Sequence, residues 1–318
     1  MVDRAFRAKM RSMRIAIMAA GAVGGYFGAR LTTAGHEVSF IARGAQLEAI
    51  RRHGLRVQST LGDMHVADAR ATDDPAAVGP VDVVLFAVKL WDTETAGKAA
   101  RPLVGPQTRL ITFQNGIDSV ERLRPILGDE AVVGGTSHIA TVISAPGAIV
   151  HSSPFAQMRF GRSDHKPDAV LDAFLQAVRG AGIDATLSDD IEADRWKKFA
   201  FLVALSGATG AMRLPLGPIL RDADTRAFFA SLIAEVIALA GAKGIALPQG
   251  FLDERLTFAD ASPPGFKASL LHDLEAGRRL ELDWLAGRVV ELGRTLGIST
   301  PANAAVYTML KLHRMGRA

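Results

Sequence analysis

Between Arg14 and Leu187 the chain alternates short β-rich apolar runs with helical patterns, and after Ser188 its apolar period turns helical and stays so. Strands joined through helix-length connections pair in parallel, so the first stretch implies a parallel sheet wound by helices. Strand runs fall at Arg14–Met18, Glu37–Ala42, Val81–Val88 and Arg109–Phe113, with others at Ala131–Val133, Ala148–His151, Gln157–Phe160 and Asp184–Leu187. Gly21–Gly35 reads as a helix closed by glycine, and a second helix lies near Asp168–Gly180. Asp189 and Glu192 resemble a capping box that opens a helix through DRWKKFAFLVAL. Further helices are expected over Asp222–Lys243, Gly250–Ala259, Gly265–Arg294 and Pro301–His313. The expected fold is α/β: a doubly wound parallel sheet over 14–187, an all-helical domain over 188–318 with the active cleft between them, and a basic, disordered extension over 1–13.

Charge and composition remove several functions. The chain has 318 residues and a net charge of +4, which on its own invites a nucleic-acid reading. The surplus is terminal, however: residues 1–14 carry +4 and residues 311–318 carry +3, leaving −3 between them. No nucleic-acid partner is expected. The absence of cysteine excludes disulfides, thiolate nucleophiles and Cys-ligated metal sites, and fits a reducing, cytoplasmic compartment. None of the eight histidines has a metal-pair spacing, so no metal is expected and His138 reads as structural. The first 13 residues lack the apolar core of a secretory signal. The apolar stretch Phe199–Ala211 is too short to span a bilayer and Phe228–Ala242 is interrupted by Glu235, so no membrane span is expected. Apolar helical faces after Ser188 leave room for a homodimer.

Met18 to Gly25 reads MAAGAVGG, placed between a strand and a helix. Such a loop holds pyrophosphate on a helix N-terminus, with glycines giving the tight turn, close backbone approach and helix–strand packing. Ala19, Ala20, Gly21, Ala22, Val23 and Gly24 are therefore the candidate phosphate loop. Gly21 and Gly24 occupy the second and third glycine positions, and Ala19 replaces the first, which would be strained if its φ is positive. The second strand ends in Ala42-Arg43-Gly44, without the carboxylate that binds a ribose 2′-hydroxyl. A guanidinium grips a 2′-phosphate with charge-assisted bonds, so Arg43 points to NADPH. Arg51 and Arg52 are expected on an exposed helix face.

The ordered set RIAIMAAGAVGGYFGARLTTAGHEVSFIAR, VVLFAVKLWDTETA, TFQNGIDSVERL, VVGGTSHIAT with PGAIVH, DRWKKF, and FKASLLHDLEAGRRLELDWLAGRVVELG with GISTPAN resembles the ketopantoate reductase (2-dehydropantoate 2-reductase) family across Arg14 to Arg314. The resemblance implies a Rossmann domain followed by a helical domain, and NADPH-dependent reduction of ketopantoate to pantoate. It places Lys198 of Trp196-Lys197-Lys198 as the proton donor and leaves Lys197 an ordinary surface lysine. It pairs Ser269, a donor to the substrate carboxylate, with Glu281, which accepts from a hydroxyl or holds the lysine. Asn115 and Lys89 match residues at the nicotinamide cleft, Asn115 also facing substrate, and Ala140 matches a backbone contact to the cofactor. Glu281 is thus assigned to both catalysis and cofactor. A purely structural alternative pairs Glu281 with Arg278.

The chain departs from the family pattern at three asparagines, where Leu202, Ser206 and Leu216 stand instead. Lys198, Leu202 and Ser206 share one helix face, which is the expected substrate wall. A leucine offers a hydroxyl no hydrogen bond, so a more apolar 2-oxo acid is the alternative substrate. A non-catalytic NADP(H)-binding sensor is a third reading, against which Lys198, Ser269 and Glu281 together argue.

Overall fold

The computed structural model describes residues 12–317, and these form two compact units that divide after Ile191.

The first unit is built on an eight-stranded sheet in the order β12-β11-β8-β7-β6-β1-β2-β5. In chain order its elements begin with β1 (Arg14–Met18), α1 (Ala22–Thr33), β2 (Glu37–Ile41), α2 (Gly44–His53), β3 (Leu55–Ser59), β4 (Met64–Val66), β5 (Arg70–Thr72), β6 (Val83–Phe86) and α3 (Thr93–Ala99). They continue with β7 (Arg109–Thr112), α4 (Ser119–Leu127), β8 (Val132–His138), β9 (Thr141–Ala145), β10 (Ala148–His151), β11 (Gln157–Gly161), α5 (Ala169–Gly180) and β12 (Asp184–Leu187). Strands β5, β2, β1, β6, β7 and β8 run parallel, whereas β11 pairs antiparallel with β8 and carries β12 with it.

Period-2 alternation divides the core between the two faces of the sheet. Ile15, Ile17, Val83 and Leu85 pack with Tyr26 and Phe27 of α1 and Phe174 of α5. Ala16, Met18, Val84 and Phe86 pack on the other face with Ala96 of α3 and Val120 and Leu123 of α4. These strands read as continuous apolar runs because both faces are covered.

A second, four-stranded sheet, β4-β3-β10-β9, was not evident in the sequence. Its strands are short and partly exposed, and β9 is exposed over most of its length, so they lack the apolar runs that mark the main sheet. The extension expected over 1–13 ends earlier than that: Met13 is buried and its N–H donates to His36 Nδ1 at 3.3 Å, while Ser12 Oγ donates to the Gly35 carbonyl. Residues 1–11 lie outside the described residues.

The second unit contains α6 (Ile191–Met212), α7 (Leu216–Arg221), α8 (Ala223–Ala242), α9 (Phe251–Ala261), α10 (Ser269–Glu275), α11 (Ala286–Leu296) and α12 (Pro301–Leu310). Glu192, in the first turn of α6, binds the buried Arg195 guanidinium at 2.9 Å. The helix expected over Gly265–Arg294 is broken. Gly277 ends α10 at φ +66°, and the chain then passes through an irregular stretch and a 3₁₀ turn over Leu282–Trp284 before α11. α8 is 20 residues long and holds an 18-residue stretch of mean hydropathy 1.5, enough by length and composition alone to cross a bilayer. Its Phe229, Leu232, Ile233 and Val236 are fully buried within this fold.

The same helix caps another. Glu235 of α8 accepts from the N–H groups of Ala302 and Asn303 at 2.7 and 3.0 Å and from Asn303 Nδ2 at 2.7 Å, meeting the open first turn of α12 behind Pro301. Glu235→Ala leaves three donors unmet and is expected to cost about 2–3 kcal/mol in urea unfolding, while Glu235→Gln, which keeps one acceptor, costs less. Equal midpoints for all three proteins would remove this cap from the account.

Candidate active site

Each sequence-predicted residue of the first unit follows the carboxyl end of a parallel strand. Ala19–Gly24 follow β1, Arg43 follows β2, Lys89 follows β6, Asn115 follows β7 and Ala140 follows β8. They lie along one edge, with the chain reversing its direction of travel across the sheet between β1 and β6. An open α/β sheet binds its ligands at such an edge and reversal point.

The phosphate loop is shaped by close packing. A Cβ on Gly24 would collide with the Ala19 carbonyl oxygen and lie 2.8 Å from Ile17 Cγ2. At Gly21 a Cβ would meet no protein atom within 4 Å, so that glycine leaves open space rather than serving a protein contact. The first turn of α1 has no side-chain cap and no acidic residue, so the N–H groups of Ala22, Val23 and Gly24 present uncompensated positive potential. Open space beside a bare helix N-terminus fits a pyrophosphate. Ala19 has φ +77°, the strained conformation foreseen for an alanine there, at a cost of order 1 kcal/mol. The loop is held by Ala20 N–H to the Ile41 carbonyl at 2.8 Å and by Gln46 Nε2 to the Ala20 carbonyl at 2.9 Å.

Arg43 is exposed at the N-terminus of α2, and among the described residues no hydrogen bond or ion pair engages its side chain. Arg51 and Arg52 are exposed on the same helix, and Arg51 is already bonded to the Ala71 carbonyl and Asp73. Lys89 is exposed, with its Nζ 5.6 Å from the Trp91 ring centroid. Asn115 is partly exposed and precedes Gly116, whose φ is +85°. Ala140 has both backbone groups engaged: its N–H donates to Ser153 Oγ at 3.1 Å and its carbonyl accepts from Ser152 N–H at 3.0 Å.

Two glutamines missed in the sequence hold this edge together. Gln46 links the phosphate loop to the β9–β10 turn, accepting from Gly147 N–H at 2.9 Å. Buried Gln114 donates to the Val88 carbonyl at 3.1 Å and to Thr93 Oγ1 at 2.9 Å, tying the segment before Asn115 to the segment beside Lys89. No periodicity marks a polar residue whose partners are distant backbone atoms.

In the second unit, Trp196 is buried against Phe199, ring centroids 6.0 Å apart, which fixes the rotation of α6. Lys197 pairs with Asp194 at 3.4 Å. Lys198 is partly exposed, and burial pulls its ammonium down to about 8 while the nearby Glu281 carboxylate opposes the shift. Glu281 is itself buried, in the irregular stretch that interrupts the helix expected over Gly265–Arg294. The alternative partner, Arg278, is bound to Asp273 at 2.7 Å.

That stretch is braced from the C-terminus. Leu280 N–H donates to the Arg314 carbonyl and Arg317 N–H to the Gly277 carbonyl, both at 2.9 Å. Part of the basic terminal segment is thus built into the fold.

Leu202 is partly exposed, whereas Ser206 is 1% exposed and its Oγ has no hydrogen-bond partner among the described residues. Leu216 is buried at 1% exposure, so its side chain serves helix packing. Ser269 is the exposed first residue of α10. Among the described residues no three His, Asp or Glu side chains are grouped to hold a metal ion.

Known proteins agree with this architecture. Two family profiles, "Ketopantoate reductase PanE/ApbA" and its C-terminal counterpart, match residues 15–165 and 190–314. A 2-dehydropantoate 2-reductase of Mesorhizobium japonicum is 31% identical, covering 94% of this chain and 97% of its own length. An uncharacterized oxidoreductase of Bacillus subtilis is 28% identical over 95% of this chain and 99% of its own. The crystal structure of a 2-dehydropantoate 2-reductase from Geobacter metallireducens superposes with a TM-score of 0.88 at 31% identity, covering 94% of this chain and 99% of that one. Matched by both family profiles and by relatives over nearly its whole length, the chain belongs to the ketopantoate reductase family of oxidoreductases.

Proposed function

We propose that this protein reduces 2-dehydropantoate to pantoate with NADPH, Lys198 supplying the proton. What carries the reading is the placing of Lys198 on α6 near the buried Glu281 in a chain of this family, with burial drawing the ammonium down to about 8 against the pull of Glu281. At neutral pH the group is still mostly protonated, and it gives up a proton more readily than an exposed lysine. Bound NADPH would supply the hydride that goes to the substrate C2 carbon. Lys198 donates a hydrogen bond to the carbonyl oxygen, stabilises the charge that builds there and hands over its proton as the C–H bond forms. Glu281 keeps a negative charge near the ammonium and so limits the fall in its proton affinity. Ser269 has an exposed hydroxyl that serves the substrate carboxylate.

The unengaged Arg43 guanidinium takes the 2′-phosphate, and the open first turn of α1 takes the pyrophosphate. A second reading rests on Leu202, the partly exposed apolar residue one turn from Lys198, which favours a more apolar 2-oxo acid.

Arg43→Ala is expected to lower kcat/KM for NADPH by roughly 10–100-fold, the scale of a lost charge-assisted phosphate contact, with NADH little changed. Retained NADPH preference in that variant would show that Arg43 does not read the 2′-phosphate. For substrate, kcat/KM across a panel of 2-oxo acids is expected to be highest for ketopantoate, and Lys198→Ala is expected to lower kcat by about 10²–10⁴-fold without changing NADPH affinity. A higher kcat/KM for a branched or aromatic 2-oxo acid would favour the second reading. Turnover unaffected by Lys198→Ala would end the lysine's assignment.

A further inference from the structure

Behind Ala140 lies a buried polar cluster that the proposed reduction does not use. His151, the last residue of β10, is 2% exposed, and Ser153 is 7% exposed. The His151 ring stands between two serines: Nδ1 is 2.9 Å from Ser59 Oγ, and Nε2 is 2.8 Å from Ser153 Oγ and 3.1 Å from the Phe155 carbonyl. Its face packs on the Tyr26 ring of α1, centroids 4.6 Å apart.

The hydrogen bonds select one tautomer. Ser153 Oγ lies 2.6 Å from the Phe155 carbonyl, to which its hydroxyl must donate. The same oxygen then has lone pairs for two donors, Ala140 N–H at 3.1 Å and His151 Nε2–H. Nδ1 is left bare to accept from the Ser59 hydroxyl, whose oxygen accepts from Leu61 N–H at 3.0 Å. Every donor and acceptor is matched in this arrangement. The opposite tautomer would set a bare Nε2 against the Phe155 carbonyl, two acceptors facing each other. Burial disfavours the imidazolium, the hydrogen bond to the Phe155 carbonyl partly offsets this, and the Arg30 guanidinium, 5.5 Å from the Tyr26 ring centroid, adds to the downward shift.

We propose that His151 is a positioning residue for the cofactor edge, acting through Ser153 on Ala140. Ala140 follows the carboxyl end of β8, on the same edge as the phosphate loop, Lys89 and Asn115. With its N–H committed to Ser153, Ala140 can meet a ligand only through its carbonyl, which has one lone pair left after Ser152 N–H. The group it receives is therefore a hydrogen-bond donor, such as the amide of a carboxamide. His151 fixes where that carbonyl stands, and its contact with Tyr26 ties the position to α1, whose N-terminus holds the phosphates. This inference rests on the NADPH reading, because it assigns the ligand's amide end to Ala140 and its phosphates to α1.

The test is direct NADPH binding, followed by nicotinamide fluorescence, in wild type, His151→Leu, Ser153→Ala and His151→Gln. Glutamine offers an N–H near the position of Nε2. The Kd is expected to rise roughly tenfold in His151→Leu and in Ser153→Ala, the scale of one lost positioning hydrogen bond, and to stay within about threefold of wild type in His151→Gln. In turnover, KM for NADPH should rise with kcat held within about threefold. Should His151→Leu fail to fold, the smaller Ser153→Ala change decides the matter. An unchanged Kd in folded Ser153→Ala, or a glutamine variant as weak as the leucine one, overturns the proposal. Wild type that binds NADPH but reduces no 2-oxo acid would instead sink the proposed reaction and leave the binding test intact; wild type that does not bind NADPH sinks both.

Discussion

The approach of α1 to the strands beneath it is the constraint on which the first unit depends. Gly24 lets the helix backbone close on the Ala19 carbonyl, and at Gly28 a Cβ would lie 2.5 Å from Phe40 Cε1. Gly25 does the same on the side of the small sheet, where a Cβ would collide with Ile149 Cδ1 of β10. A single methyl at these positions would push the helix outward. Its first-turn N–H groups would then leave the carboxyl edge of the sheet, and with them the proposed pyrophosphate site. The same contact links α1 to β10 and hence to the polar cluster around His151. Phosphate loop and small sheet are two sides of one packed helix.

The strain at Ala19 belongs to this arrangement. The chain must turn sharply from β1 to meet a helix packed that closely, and an alanine at φ +77° makes the turn where glycine would do so freely. The backbone is over-determined there by the Ala20-to-Ile41 and Gln46-to-Ala20 hydrogen bonds. Strain of order 1 kcal/mol persists only when its surroundings hold it in this way.

Legibility followed burial. The strands β1, β2, β6 and β7, buried between helices, stand out in the sequence within a few residues of their ends, as does the long helix α8, whereas α6 runs seven residues past the Leu205 end of its expected stretch. Strands β3, β4, β5 and β9 escaped notice because they are short and partly exposed, and the small sheet is closed by a pairing of segments far apart in the chain, β3 with β10. The break at Gly277 was masked by apolar residues on either side, although a glycine after Glu275-Ala276 is a recognisable helix stop. Of the candidate site, loop glycines and strand-end residues could be read from spacing. Lys198 and Glu281 needed the family resemblance, because a lysine on a helix and a glutamate 83 positions later share no local pattern. The roles of Gln46, Gln114 and His151 could not be read from spacing, although Gln114 and His151 lie in the segments that carry the resemblance, since their partners are backbone atoms and hydroxyls that only the fold brings near.

In the proposed reaction the lysine is where fold becomes chemistry. A lone buried ammonium would be expelled or neutralised, and an exposed one would hold its proton too tightly to be a good acid. Burial beside a carboxylate places Lys198 between those limits. The direct measurement is a pH titration of the Lys198 side-chain resonance in isotope-labelled protein, alone and as Glu281→Gln. The midpoint is expected at about 8, falling further when the carboxylate is removed, because that charge opposes the effect of burial. A midpoint at 10.5, the value of an ordinary lysine, or one that rises in Glu281→Gln, would contradict the account.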